Sequence, residues 1–296
     1  MYQLLLFVIV LLGVTACDND SPVLPAPADI PQAAQHEVSF HDEVRPILEK
    51  KCLACHGCFD APCQLKLESP AGLLRGASHA EVYDGKRGEA QAPTRLNVDA
   101  NSQQEWQQLG FYSIVKGNEA SLFYNMLKLG KTYSLEPNSK IPESIEMGLR
   151  RENQCVAPEN FADYAKDHPL EGMPFVTTGL TNEEYAVLRG WLEQGAKIPD
   201  KQISLTENEL AKLQYWEEYL NQVSSKRQLV SRWLYEHLFL AHIYLDSEVT
   251  SKPRFFELVR SYTAPGYPID VVKTRLPNHD PEAPFFYRLR LIEGAT

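Results

Sequence analysis

Five consecutive residues, Cys52-Leu53-Ala54-Cys55-His56, limit what this chain can become more than anything else in its 296 residues. Two thiols three positions apart lie about one helical turn from each other, and the histidine follows directly on the second. That C-x-x-C-H spacing suits two thioether bonds to the vinyl groups of one haem, with the imidazole reaching the iron. A structural zinc pair would need two more ligands in a similar grouping, and a redox dithiol has no use for the histidine. The motif therefore predicts one covalent haem c, attached at Cys52 and Cys55 and ligated by His56. It also predicts a helix ahead of it. Val44, Ile47, Leu48 and Cys52 share one helical face, and Pro46 lies close enough to the start to be tolerated.

The sixth iron ligand follows by elimination, since a methionine thioether or a second histidine is usual. Beyond Met1 the chain holds Met126, Met147 and Met173. Met126 falls on the apolar face of a helix expected over about 119–129, with Leu122, Phe123 and Leu127. Met147 sits in a polar stretch without a distinguishing neighbour. Met173 belongs to a loop, Glu171-Gly172-Met173-Pro174. After it, Thr181 and Glu184 form a capping box that opens a helix burying Tyr185, Leu188, Trp191 and Leu192, and Gly195 ends that helix. Cytochrome c domains place their axial methionine in such a loop, ahead of a final helix that packs on the first. Met173 is the expected ligand, with His168 the alternative. Cys58, Cys63 and Cys155 remain, an odd number that allows one bridge and one free thiol. A local 58–63 bridge is the easiest to form, and spacing alone leaves the pairing open.

Haem attachment of this kind belongs outside the cytoplasm, and the N-terminus agrees. Leu4 to Leu12 is an unbroken apolar run of signal-peptide length, too short to span a bilayer. It closes in Val14-Thr15-Ala16-Cys17, which resembles the lipobox of bacterial lipoproteins. Residues 1–17 then read as a lipoprotein signal peptide whose Cys17 would be acylated and become the mature N-terminus, and Asp18 resembles an inner-membrane retention signal. A periplasmic, lipid-anchored protein is the expectation, and two or three acyl chains make a transmembrane helix unnecessary. Pro22, Pro25, Pro27 and Pro31 mark residues 18–37 as an extended tether.

The fold class expected is mainly α. Residues 38–198 read as a cytochrome c-like haem domain with long loop insertions over 60–104 and 130–180. A boundary falls near Lys197 to Asp200, and residues 199–296 read as the start of an incomplete α+β domain. There Thr206 and Glu209 make a second capping box, opening a helix to about Gln222. A further helix is expected from Ser224 to Leu245, then strands at Phe255 to Val259 and Phe286 to Leu291. His237 and His242, five apart on one helix, would point about 140° apart and share no metal. The net charge of −10, with no basic run, argues against a nucleic-acid partner. No glycine-rich phosphate loop, serine elbow or paired-histidine zinc helix is present in the sequence.

From Phe40 to Tyr287 the sequence resembles the N-terminal part of the bacterial fatty acid cis/trans isomerases. The residues that carry the likeness are Cys52 through Leu67, Arg75-Gly76-Ala77-Ser78, Pro93-Thr94-Arg95-Leu96 and Gly172-Met173-Pro174. Tyr235 through His242 and Phe256 to Ser261 extend it. The resemblance implies conversion of cis double bonds of unsaturated fatty acids to trans, stiffening a stressed membrane without ATP or a nicotinamide cofactor. It implies a mechanism in which ferric haem transiently withdraws electron density from the double bond. Arg75, Arg87 and Arg95, in the loops after the haem motif, are candidates to meet the substrate carboxylate. Family members run on for several hundred residues more. A truncated chain with weak or no activity is thus one expectation, and a lipid-anchored electron-carrying cytochrome is the rival reading of 1–198.

Overall fold

The computed structural model describes residues 24, 27–57, 61–79, 94–96, 98–100, 102–148, 154–199, 204–245, 254–274 and 276–292. The signal-like segment, Cys17, Asp18, Cys58 and Arg87 lie outside these residues.

A helical run opens at Ser39, whose Oγ accepts the Asp42 N–H while its own N–H donates to Glu43 Oε2 at 2.8 Å. A π-wound turn, Phe40–Val44, continues into α1 (Arg45–Lys51); Cys52 breaks the geometry with φ −123°, and α2 (Leu53–His56) follows. Phe40, Val44, Ile47 and Leu48 are buried, so the apolar face expected from the sequence is the one that packs. α5 (Leu122–Thr132) starts three residues later than its periodicity suggests. Ser121 caps it by accepting from Tyr124 N–H, and Asn118–Ala120 form a separate 3₁₀ turn. The Thr181–Glu184 capping box forms, opening α7 (Asn182–Glu193). This helix lies against the first helical run, with the Trp191 and Phe40 ring centroids 5.7 Å apart and the indole N–H donating to Lys197 O at 2.9 Å. Together these elements close a first core, from Val38 to Ala196.

The two long stretches expected to be irregular hold short elements. α3 (Pro70–Arg75) is capped by Ser69, α4 (Gln103–Gln108) by Ser102, and α6 (Phe161–Asp167) follows Asn160. At six or seven residues each they span too few turns for apolar periodicity to show. Ala77–Ser78 (β1) pairs antiparallel with Phe111–Tyr112 (β2).

A second core forms between residues 205 and 291. The Thr206–Glu209 capping box opens α8 (Glu207–Leu220), and Ser224 caps α9 (Ser225–Leu238). The latter helix was expected to reach Leu245 and stops at Leu238. The Leu238 carbonyl instead accepts Ala241 N–H in a turn at 2.9 Å. Ile243–Tyr244 (β3), β-branched and aromatic, then pairs with β4 (Phe255–Ser261), which pairs with β5 (Phe286–Leu291) in the order β3-β4-β5, all antiparallel. Leu220 and Tyr235 from the helices cover Phe256, Leu258, Tyr287 and Leu289 of the sheet. Charged groups are drawn in as well. Glu217 accepts from Arg288 Nε at 2.9 Å and Leu289 N–H at 3.0 Å, and Glu209 accepts from Arg254 at 2.7 Å.

Candidate functional site

The C-x-x-C-H motif closes the first helical run, and its three chemical groups differ in environment. Cys52 is half-buried; burial first, then the neighbouring Cys55 and Glu184, push its thiol up to about 12. Cys55 is exposed, and the two thiols are free. His56 is buried, and burial lowers its pKa against the opposing pull of a hydrogen bond to the Leu65 carbonyl. That bond, Nδ1 to O at 3.0 Å, sets the tautomer. Nδ1 carries the proton, so Nε2 presents a lone pair, as a metal-ligating imidazole must.

The carbonyl that orients His56 is itself held in place by a chain of contacts. Leu67 N–H donates to His56 O at 2.9 Å, folding the 61–67 segment over the motif. Cys63 and Gln64 take left-handed backbone angles there, φ 54° and 53°. A disulfide from Cys63 to Cys155 fixes the turn, so the local 58–63 bridge does not form. Gln64 is buried; its Oε1 accepts from Thr94 Oγ1 at 2.5 Å, and its carbonyl accepts from Arg75.

Arg75 therefore sits inside the protein. Its guanidinium lies 4.7 Å from the Phe111 ring centre and 5.2 Å from that of Trp106, and it also donates to Thr94 O at 3.2 Å. Burial pushes its pKa down to about 10, against the pull of Glu68 and Asp99. These surroundings make Arg75 a buttress of the histidine loop. Arg95 is more open but engaged, with Asp99 Oδ1 at 2.7 Å and Thr274 O at 2.6 Å.

Met173 is half-buried against the same core that packs Cys52 and Leu53. Its N–H donates to Met126 O at 2.9 Å, which ties the loop to α5. Gly130 and Gly172 make this crossing possible. A Cβ on either would run into the other strand's backbone, because Gly172 rests directly on Gly130. From the other side Lys51, next to the motif, donates to Gly179 O at 2.9 Å and Thr178 O at 3.3 Å. Met126 is also half-buried on this core, whereas Met147 is exposed. His168 caps α6, its Nδ1 3.1 Å from Glu171 Oε1 and its ring stacked 5.0 Å from Tyr164. Among the described residues no group of three or more His, Cys, Asp or Glu side chains gathers around a point where a bare ion would bind. A haem asks for less, one or two axial ligands and two thiols, and the motif residues with Met173 fit that demand.

A cavity of about 600 Å³ lies where the two cores meet. Gly57, the residue after His56, forms part of its wall, with Lys66, Arg95 and Leu96 from the first unit. Phe239, Leu240 and His242 close it from the end of α9, and Leu258, Arg260 and Leu291 from the sheet. Of the arginines singled out by sequence that lie among the described residues, Arg95 reaches it and Arg75 does not. His242, beyond the end of α9, lines the cavity, while His237 Nδ1 donates to Trp233 O on the helix at 2.7 Å. Sequence reading singled out no sheet residue as part of a site; the run Phe256 to Ser261 entered only through the family likeness.

The family model described as Fatty acid cis/trans isomerase (CTI) matches residues 91–296, more than two thirds of the chain. The matched region takes in Met173, the end of α9 and the whole sheet, and begins after the C-x-x-C-H motif. No curated protein and no solved structure matches the chain.

Proposed function

The chain belongs to the fatty acid cis/trans isomerase family, isomerases of fatty acid double bonds, and from that premise we propose that it works with one covalent haem c at the bacterial envelope. The observation that carries the haem reading is the His56 Nδ1 hydrogen bond to Leu65 O, which leaves Nε2 for a metal beside two free thiols at thioether spacing. In this reading Cys52 and Cys55 would attach the group, and His56 and Met173 would hold its iron. When bound, the haem supplies an electron-withdrawing centre that weakens the double bond enough for it to rotate, with no net redox change. The chain's own part is positional. Burial keeps His56 neutral, the Cys63–Cys155 bridge steadies the carbonyl that orients it, and Gly130 lets the Met173 loop pack close. The cavity beside Gly57 takes the acyl chain out of water. The part of the 18–37 tether ahead of Ala28, with acylated Cys17, holds the site near its lipid supply. The rest does not extend from the domain: the Ala28 and Ala34 N–H groups donate to Thr132 O and Ala186 O at 2.9 Å and pin it to the first core.

Expression with a c-type maturation system should yield one haem per chain by pyridine haemochrome, lost in Cys52→Ala/Cys55→Ala. Gas chromatography of fatty acids after incubation with a cis-monounsaturated acid should show trans product from the wild type and none from that variant. Full conversion by the haem-free variant would defeat the haem reading and leave the family's reaction intact. A ferric iron–methionine charge-transfer band should vanish in Met173→Ala and survive in Met126→Ala; persistence in Met173→Ala would hand the sixth position to another residue.

A further inference from the structure

Among the described residues four cations line the cavity between the two cores: Lys66, Arg95, Arg260 and Arg290. Three of them have a carboxylate. Lys66 meets Glu68 at 2.5 Å, Arg95 meets Asp99 at 2.7 Å, and Arg290 meets Glu257 at 2.8 Å. Arg260 has none among the described residues, although it is only 4% exposed. Its Nη1 donates to His279 O at 2.7 Å and its Nη2 to Thr274 Oγ1 at 2.5 Å. Its Nε is buried without a partner among the described residues. The guanidinium lies 4.6 Å from the Tyr235 ring centre and 5.4 Å from that of Phe285, which disperses the charge without cancelling it. A buried, uncompensated cation with an unused donor is costly, and an anion placed against it would remove that cost.

We propose that Arg260 anchors the carboxylate of a free long-chain fatty acid whose tail occupies the cavity reaching Gly57. The proposal rests on the isomerase reading for the identity of the ligand and stands on Arg260 for its place. Leu96, Phe239, Leu240, Leu258, Val272 and Leu291 supply apolar wall for the tail. A volume of about 600 Å³ falls within the range of small-molecule sites. Arg260 and Tyr235 also border a second cavity of about 580 Å³, and of the two only the first reaches Gly57, next to the C-x-x-C-H motif. Arg75 is the internal contrast. It too is buried, stacked on two rings and left with an Nε unpartnered among the described residues, and it differs in lining neither cavity. The depth of Arg260 favours a small carboxylate head over a diacyl phospholipid, which would bring two tails and a bulky phosphate.

The test is calorimetric binding to the purified, haem-loaded full chain. A cis-monounsaturated sixteen-carbon acid should bind about tenfold or more tighter than the alcohol of the same chain. Arg260→Gln should abolish that preference and leave alcohol binding unchanged. Ala241→Trp, which fills the cavity and keeps Arg260, should abolish binding of both. Equal affinity for acid and alcohol in the wild type overturns the proposal, and so does unchanged binding in Ala241→Trp. Micellar phosphatidylglycerol binding as tightly as the free acid overturns it too. Should Arg260→Gln fail to fold, the wild-type comparison and Ala241→Trp still decide. Trans product without an acid preference would remove the anchor and leave the isomerase reading standing. An Arg260-dependent acid preference without trans product in the wild type would support the anchor and remove that reading.

Discussion

Around Trp191 and Tyr185 the first unit packs aromatic and aliphatic side chains and leaves ion pairs such as Arg45–Glu49 and Lys50–Glu184 at its rim. The second unit, two helices on three strands, takes Glu209, Glu217, Arg260 and Arg288 inside. Apolar packing is non-directional and tolerant, and it suits a unit whose task is to hold a motif helix, a methionine loop and a closing helix together. Buried charge is directional. Each group must meet a partner, so it fixes where particular atoms sit, at some expense in stability. The first unit's buried basic side chains among the described residues, Arg75 and His56, belong to the C-x-x-C-H motif and the loop folded over it, which obey the same division. Charge goes inside where a position matters more than cohesion.

Four tests by substitution would break or sharpen that division. The largest effect belongs to Trp191→Ala, which empties the centre of the first core and should cost about 3–5 kcal/mol. Hydrogen exchange would locate the loss. Amides of α1, α5 and α7 should lose protection while those of β4 and β5 keep theirs. Equal loss in both units would mean that they share one core, and the contrast would fall.

Next is Glu217→Leu, which strands Arg288 and the Leu289 N–H and should cost about 3 kcal/mol by denaturant unfolding. The double variant Glu217→Leu/Arg288→Met should recover most of it, because an apolar pair replaces an ion pair with little net change. A double variant as weak as the single one would show that the pair does more than cancel charge. Cys63→Ser/Cys155→Ser should follow, at about 2–4 kcal/mol for a bridge joining residues 92 apart. The Leu67 amide, which bonds to His56 O, should then exchange faster than amides of α7.

What the sequence disclosed divides along similar lines. Both capping boxes, the buried stripe Tyr185-Leu188-Trp191-Leu192 and the two long strands were legible, since each depends on neighbours within a turn or on strict alternation. The end of α9 at Leu238 was not, because Ile243 and Tyr244 leave the helix for a strand partner some twelve residues on. The Cys63–Cys155 pairing, the burial of Arg75 and the placing of buried Arg260 beside a cavity depend on chain brought together over much longer separations. Periodicity carries no information about such meetings. At the site, the motif Cys52, Cys55 and His56 was visible by spacing, whereas the Leu65 carbonyl that selects the His56 tautomer became visible only in three dimensions.

The smallest effect tests the rim of the first unit against the interior of the second through their two capping boxes. In the second unit Glu209 is buried and held by Arg254 as well as by Thr206. In the first, Glu184 takes the Thr181 N–H at 2.9 Å and faces Lys50 at 3.0 Å and Lys51 at 3.5 Å. Burial pushes its pKa up, but the Thr181 hydrogen bond and the two lysines outweigh it, so the net shift is below the ordinary 4.5. The sign follows by linkage. A depressed carboxylate adds stability that is fully present above the unfolded value and is lost as pH falls through the lower, folded value. Glu184→Gln should therefore cost about 0.5–1 kcal/mol near neutral pH. The gap between wild type and variant should then close progressively as pH drops below 4.5. Thermal melts from pH 7 to pH 3 would show it. A gap that stayed constant through that range would mean that Glu184 acts by packing rather than by charge. The rim of the first unit would then be built on the same terms as its interior.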